Sequence, residues 1–274
     1  MVASGVVVLV TYALLVQVWR LILREWKASL SFGDAVRIWC VSNLGKYIPG
    51  KVWQIAAMGK LAKNASVPPA AAAGSAILNT LVNIAVGFAV GVVAGFKSLD
   101  ALSQGHATLG IGVTILAIGG VLLLPAMIPR LTAVARRVTG RDLDLGTLPI
   151  RAVYIAIGGN VVAWLLYGWS FQLLVHGVLG RAPGHFADYV AAYALSYVIG
   201  YLAFFIPGGL GAREGMLALS LGALNLANPK EALAIAIVSR LWLTILEVIP
   251  GLLYLTGGPR TATQAPTPRN GSNS

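Results

Sequence analysis

The sequence predicts an all-α integral membrane protein: five clear transmembrane helices plus two Pro/Gly-broken regions, re-entrant or hairpin, in an inverted repeat. Three observations lead there. The 274 residues are 57% hydrophobic and only 11% charged, against roughly 25% charged in an average soluble domain. With a mean hydropathy of +0.79, the chain lacks the polar surface that a water-soluble fold needs. Several runs are nearly free of charge over about twenty residues, the length that crosses roughly 30 Å of hydrocarbon as a helix. Finally, two matching interruptions, Ile48-Pro49-Gly50 and Ile206-Pro207-Gly208, fall inside apolar segments.

Taken in order, the first apolar run covers residues 3–22. It has no basic leader and no small-residue cleavage site before Trp19-Arg20, so it reads as a mature span and not a signal peptide. Residues 34–61 are apolar but broken at Pro49 and Gly50, which remove a helical donor and loosen the backbone. Residues 70–96 form a second span. Ser75, Asn79, Asn83, Gly87, Gly91 and Gly95 recur on it at four-residue spacing, giving a small, polar face that suits either close helix packing or an internal path. Residues 108–128 form a third span, followed by a loop holding Asp142 and Asp144, and residues 148–179 form a fourth. The second broken region, 188–225, opens with a ladder of Tyr189, Tyr193, Tyr197 and Tyr201. Interfacial anchoring accounts for Tyr189 but not for all four, which extend over about 18 Å of helix rise. Residues 232–255 are the fifth span. Residues 1–256 are thus read as one polytopic domain, and residues 257–274, rich in Gly, Pro, Thr, Ser and Asn, as a disordered cytoplasmic tail.

The net charge of +11 is not a nucleic-acid footprint, because the basic residues sit in short loops between apolar spans. Each broken region contributes no crossing or two, so the orientation of the flanking spans does not depend on which. Thirteen loop Lys and Arg residues then collect on one side and only Lys97, Arg181 and Lys230 on the other. This bias places the first side, and the C-terminus, in the cytoplasm of a cell-membrane protein with its N-terminus outside. By the same parity the two breaks approach from opposite faces, the arrangement with which transporters build a midplane site. The single Cys40 closes no intrachain disulfide, and His106, His176 and His185 are scattered, so no metal or other cofactor is expected. No nucleophile elbow or paired catalytic carboxylates are evident, and no catalytic residue is assigned.

The candidate site residues are the ionisable groups at membrane depth, which cost several kcal/mol unless a cavity or partner receives them. These are Lys46 and Lys51 around the first break, Arg213 and Glu214 after the second, and Arg240 and Glu247 in the last span, together with Asn43. Lys46 and Lys51 also fit snorkelling to an interface. Arg240 and Glu247, two turns apart on one face, also fit a structural ion-pair network. The stretch Pro207-Gly208-Gly209-Leu210-Gly211-Ala212-Arg213-Glu214-Gly215 exposes backbone N–H groups where a helix begins. That suits a cradle for a lipid phosphate or a tight turn in which Arg213 and Glu214 pair with each other. Pro49, Gly50, Pro207, Gly208, Gly209 and Gly211 permit the breaks, and Asn79, Asn83, Tyr193 and Tyr197 are the expected path-lining residues.

The two motifs Asn43-Leu44-Gly45-Lys46-Tyr47-Ile48-Pro49-Gly50-Lys51-Val52 and Ile206-Pro207-Gly208-Gly209-Leu210-Gly211-Ala212-Arg213-Glu214-Gly215 resemble the lysylphosphatidylglycerol synthase transmembrane-region family, also called the flippase-like domain family. The resemblance extends to about Gly257, and Arg240 matches a basic position of the last span. Family members usually carry one more N-terminal span, and the soluble aminoacyl-transferase domain of the bifunctional synthases has no counterpart in these residues. The resemblance implies a lipid flippase that moves an anionic phospholipid or polyprenyl-linked headgroup across the cytoplasmic membrane, with membrane lipids as its partners. The alternative is a membrane-embedded accessory or scaffold for a glycosyltransferase or lipid-modifying enzyme, and a membrane transferase is a third reading. Nucleic acid is not an expected partner.

Overall fold

The computed structural model describes residues 1–48, 52–95, 149–203 and 209–256, with helical positions 112, 115, 116, 119 and 123 between them. Pro49, Gly50, Lys51, Pro207 and Gly208, most of the third expected span, the Asp142 and Asp144 loop and the C-terminal tail lie outside the described residues. Every described element is helical. The long helices are α1 (Val2–Glu25), α4 (Pro69–Ala94), α5 (Ile150–Leu179) and α8 (Pro229–Thr256), each long and apolar enough to cross a membrane. They coincide with four of the five expected spans to within three residues. Between α1 and α4 come α2 (Phe32–Asn43), a 3₁₀ turn (Leu44–Tyr47) and α3 (Val52–Asn64); between α5 and α8 come α6 (Phe186–Leu202) and α7 (Ala212–Ala223). Helices α2, α3 and α7 are 12, 13 and 12 residues long, about 18–20 Å of rise. None of them crosses about 30 Å of hydrocarbon alone.

Local chemistry sets the helix ends. The Ser31 hydroxyl accepts the Asp34 N–H at 3.1 Å to start α2, and Pro69 opens α4 at a position where a missing donor costs nothing. Gly180, at φ +70°, closes α5 in the left-handed conformation. Asn228 and Glu231 exchange side-chain and backbone bonds of 2.9 and 3.0 Å at the head of α8, a reciprocal cap that satisfies two orphan donors.

The packing scheme repeats in the two halves. Helices α1 and α5 pack against each other at the centre, joined by a Ser4–Ser170 hydroxyl bond of 3.0 Å. Around that pair, α4 packs on α6 as α8 packs on α2, and α3 packs on α4 as α7 packs on α8. Such exchange of equivalent neighbours is what an internal two-fold repeat produces. The outer face of α8 carries exposed Ile237, Leu241, Ile245, Ile249 and Leu252, a stripe with one helical period that suits lipid as its solvent. Its inner face carries Arg240, Leu243, Glu247 and Gly251, none of them exposed.

Small residues set the inter-helix distances. A Cβ on Gly87 would lie 2.5 Å from the indole of Trp164, and one on Gly91 would lie 2.9 Å from Leu195. The four-residue stripe of α4 therefore mediates close packing at its glycine end. Gly87→Leu is expected to lower the melting temperature of the purified protein in detergent, an overpacking cost of about 1–3 kcal/mol. Gly158→Ala, where a Cβ meets nothing within 4 Å, does not lower it in the same assay, because alanine is the better helix former.

Candidate functional site

The described arms of the two broken regions meet α8 around a cavity of about 160 Å³. It is lined by Lys46 of the 3₁₀ turn, Asn43 of α2, Asn79 and Asn83 of α4, Tyr197 of α6, Arg213 of α7, and Arg240 and Glu247 of α8. Tyr12, Trp39, Trp164 and Tyr167 add an aromatic wall to the lining.

Arg213 enters the cavity because the backbone of α6 and the start of α7 approach closely. A Cβ on Gly200 would fall 2.6 Å from the Arg213 Cβ, and Gly209, at φ +68°, would place a Cβ 2.3 Å from the Gly200 carbonyl oxygen. Only glycine fits at either place. The guanidinium then lies over two tyrosine faces, 5.2 Å from the ring centroids of both Tyr193 and Tyr197, within the range of a cation–π contact. Arg213 is 7% exposed, and its Nη2 makes no hydrogen bond among the described residues.

Helix α8 holds the other charges, and here the structure differs from one of the two sequence readings. Arg240 and Glu247 do not pair with each other, because seven residues separate them by about 10 Å of helix rise. Each instead reaches one broken region. Glu247 forms an ion pair with Lys46 and accepts hydrogen bonds from Tyr47 at 2.9 Å and Tyr12 at 3.0 Å. Arg240 Nε lies 3.5 Å from Glu214 Oε1. The polarity alternates: the first break offers a cation to an α8 anion, and the second offers an anion to an α8 cation. Lys46 is therefore directed inward and does not snorkel.

Glu214 also revises the expected phosphate cradle. Its Oε2 accepts the Gly211 N–H at 2.7 Å, so the N-terminus of α7 already holds a carboxylate. The positive φ of +83° at Gly211 shapes that turn. Arg213 and Glu214, adjacent in sequence, point to different partners. The free donor is the guanidinium, not the helix terminus.

Polar groups on α4 and α5 complete the lining. Asn160, fully buried in α5, accepts from Asn83 at 2.7 Å and donates to Asn79 at 3.0 Å, while Trp164 Nε1 donates to the Asn83 carbonyl at 3.0 Å. In the same stripe Ser75 accepts from Trp19 Nε1 at 2.9 Å. The stripe thus divides, with asparagines at the cavity and Ser75, Gly87 and Gly91 in helix packing. The tyrosine ladder divides too. Tyr189 donates to the Pro183 carbonyl at 2.6 Å, Tyr193 is buried beneath Arg213 without lining the cavity, and Tyr197 and Tyr201 line it. Asn43 accepts from Gln54 of α3 at 2.5 Å, tying the two arms of the first break.

Sequence reasoning did not single out Tyr12, Tyr47, Asn160, Trp164 or Tyr167. An asparagine inside an otherwise apolar span was a legible signal for Asn160. Nothing in the pattern of α1 separates Tyr12 from an interfacial tyrosine. Among the described residues no group of His, Cys, Asp and Glu could hold a metal ion.

The sequence profile of the lysylphosphatidylglycerol synthase TM region matches residues 1–251. The chain belongs to that family. No curated protein and no solved structure matches it. As a lysylphosphatidylglycerol synthase TM region, the chain is a multi-pass membrane protein with a lipid-related role.

Removing one partner of a buried ion pair costs about 3–5 kcal/mol, because the other charge is left uncompensated. Glu247→Leu is accordingly expected to destabilise the protein strongly, and the double variant Lys46→Met/Glu247→Leu less than Glu247→Leu alone. Thermal unfolding of the three variants in detergent checks this; additive losses would show that the pair is not coupled.

Proposed function

We propose that the protein translocates lipid headgroups bearing negative charge, an anionic phospholipid or a polyprenyl-linked lipid, between the leaflets of the cytoplasmic membrane. The observation that carries this reading is Arg213: a buried guanidinium with an unpaired Nη2, held at a cavity where both broken regions meet a spanning helix. A buried charge without a partner is expensive, and planar N–H donors suit a phosphate. A headgroup moving through hydrocarbon must shed water, and Arg213, Lys46, Arg240 and the asparagine cluster supply replacement contacts at that depth. The tail of the lipid stays outside a cavity of about 160 Å³. A scaffold for a lipid-modifying enzyme has no need of a buried guanidinium whose Nη2 lacks a partner among the described residues. The loop charges favour a cytoplasmic C-terminus, and membrane lipids are the partners in this reading.

Liposomes reconstituted with the full chain and a panel of labelled lipids test it. Wild type is expected to accelerate leaflet exchange of anionic lipids, and Arg213→Gln to slow it at least about tenfold, equivalent to ~1.4 kcal/mol. Exchange equal with and without protein across the panel would refute the proposal, and unchanged exchange in a folded Arg213→Gln would refute the role of that residue.

A further inference from the structure

We propose that the contact between the 3₁₀ turn (Leu44–Tyr47) and α8 is the moving gate of the cavity, with Ile249-Pro250-Gly251 as its hinge, while the equivalent contact of the other half is a fixed wall. That the gate serves transport rests on the headgroup reading above; the hinge itself does not. The tripeptide Ile-Pro-Gly occurs a third time in the chain, at Ile249-Pro250-Gly251, and here α8 runs through it as one helix. Proline has no N–H to give to the carbonyl four residues earlier, that of Leu246, and its ring crowds that carbonyl. Helix α8 is therefore weakened over the turn that carries Glu247. The 3₁₀ turn straddles this weak point. On one side of it Lys46 and Tyr47 hold Glu247; on the other, Leu44 is seated on Gly251, where a Cβ would lie 2.8 Å from Leu44 Cδ2. A 3₁₀ turn has poorer hydrogen-bond geometry than an α-helix and often marks a hinge. Two segments short of regular helical bonds thus face each other. Bending α8 at Pro250 changes the spacing of the two contacts that the turn holds at once, so that keeping Leu44 on Gly251 releases Lys46 and Tyr47 from Glu247.

The other half of the chain supplies the comparison. Gly91 lies as far beyond Pro69, the first residue of α4, as Gly251 lies beyond Pro229, the first residue of α8. Each glycine receives a leucine from the opposite half, Leu195 of α6 on Gly91 and Leu44 on Gly251. The packing is equivalent, but the local chemistry is not. Val90 stands where α8 has Pro250, so α4 loses no backbone donor at this point. Leu195 sits within the continuous helix α6 (Phe186–Leu202), whereas Leu44 opens a 3₁₀ turn. Of the two matching contacts, only the one at Pro250 is weakly bonded on both faces. A few element-terminal residues that absorb the change in backbone angles are what a hinge requires.

Cys40, the single cysteine of the chain, is a native reporter of this gate. It is half-buried in α2, one turn before Leu44 on the same face, and α2 packs on α8. In proteoliposomes of the full chain, a maleimide is expected to label Cys40 at the rate at which the 3₁₀ turn parts from α8. Pro250→Ala restores the N–H and a good helix former, and is expected to slow labelling at least about tenfold without lowering the melting temperature. Pro250→Gly restores the N–H but leaves a poor helix former, and labels faster than Pro250→Ala. Hydrogen exchange of the wild type decides if Pro250→Ala does not fold: the amides of Gly251, Leu252 and Leu253 are expected to exchange at least about tenfold faster than those of Gly91, Val92 and Val93. Undiminished labelling in a folded Pro250→Ala, or equal protection of the two segments, would overturn the hinge. Leaflet exchange of a labelled anionic phospholipid by the same preparations is expected to slow in Pro250→Ala in step with the labelling. Unchanged exchange beside slowed labelling would overturn the role of the gate in transport. Failure of the wild type to exchange the lipid would instead overturn the headgroup reading, with the labelling rates still deciding the hinge.

Discussion

Hydrocarbon offers no solvent to a charge, and the architecture follows from how two charges on one helix are answered. Arg240 and Glu247 lie on the inner face of α8, and each is met by a residue of opposite sign from a different broken region. A broken helix forfeits backbone hydrogen bonds and needs a fixed protein surface against which to stand. The Lys46–Glu247 pair supplies that surface for the first break, with Tyr47 and Tyr12 closing the remaining oxygen positions. The Glu214–Arg240 pair does so for the second.

Arg213 is the exception that gives the cavity its character. Among the described residues at the cavity, four of the five charged groups find opposite charges, and the fifth is held by ring faces. Cation–π contacts stabilise a guanidinium in place without occupying its in-plane donors, so they position the group and leave it able to bind. The close passage of α6 over α7 at Gly200 and Gly209 is what brings the Arg213 side chain under Tyr193 and Tyr197. Aromatic packing continues from there: Tyr167 stacks on Tyr193 at 5.7 Å and Trp164 meets Tyr197 edge-on at 5.3 Å.

The exchange of neighbours between the halves explains why one cavity serves both breaks. Helix α8 of the second half packs on α2 of the first, and α4 of the first packs on α6 of the second. Each half therefore completes the site begun by the other. Asn79 and Asn83 on α4, bridged by Asn160 on α5, are the polar counterpart to the charged pairs on α8.

The sequence by itself determined the solvent, four of the spans and the identity of the charged groups. Length and hydropathy are local quantities, and in a membrane they leave few alternatives, so α1, α4, α5 and α8 begin and end where the apolar runs do. Lys46, Arg213, Glu214, Arg240 and Glu247 were legible because ionisable residues are rare at depth. Only the tertiary structure decided who pairs with whom. A seven-residue spacing put Arg240 and Glu247 on one face, but their partners, Glu214 and Lys46, lie 26 and 201 positions away in the chain. Adjacency made Arg213 and Glu214 look like a pair, and helix geometry turned them apart. The contribution of Tyr12 and Tyr167 was invisible for the same reason: a tyrosine in a span has no periodicity that marks which cavity it reaches. Pairing depends on the distances between folded elements, and no local pattern encodes those.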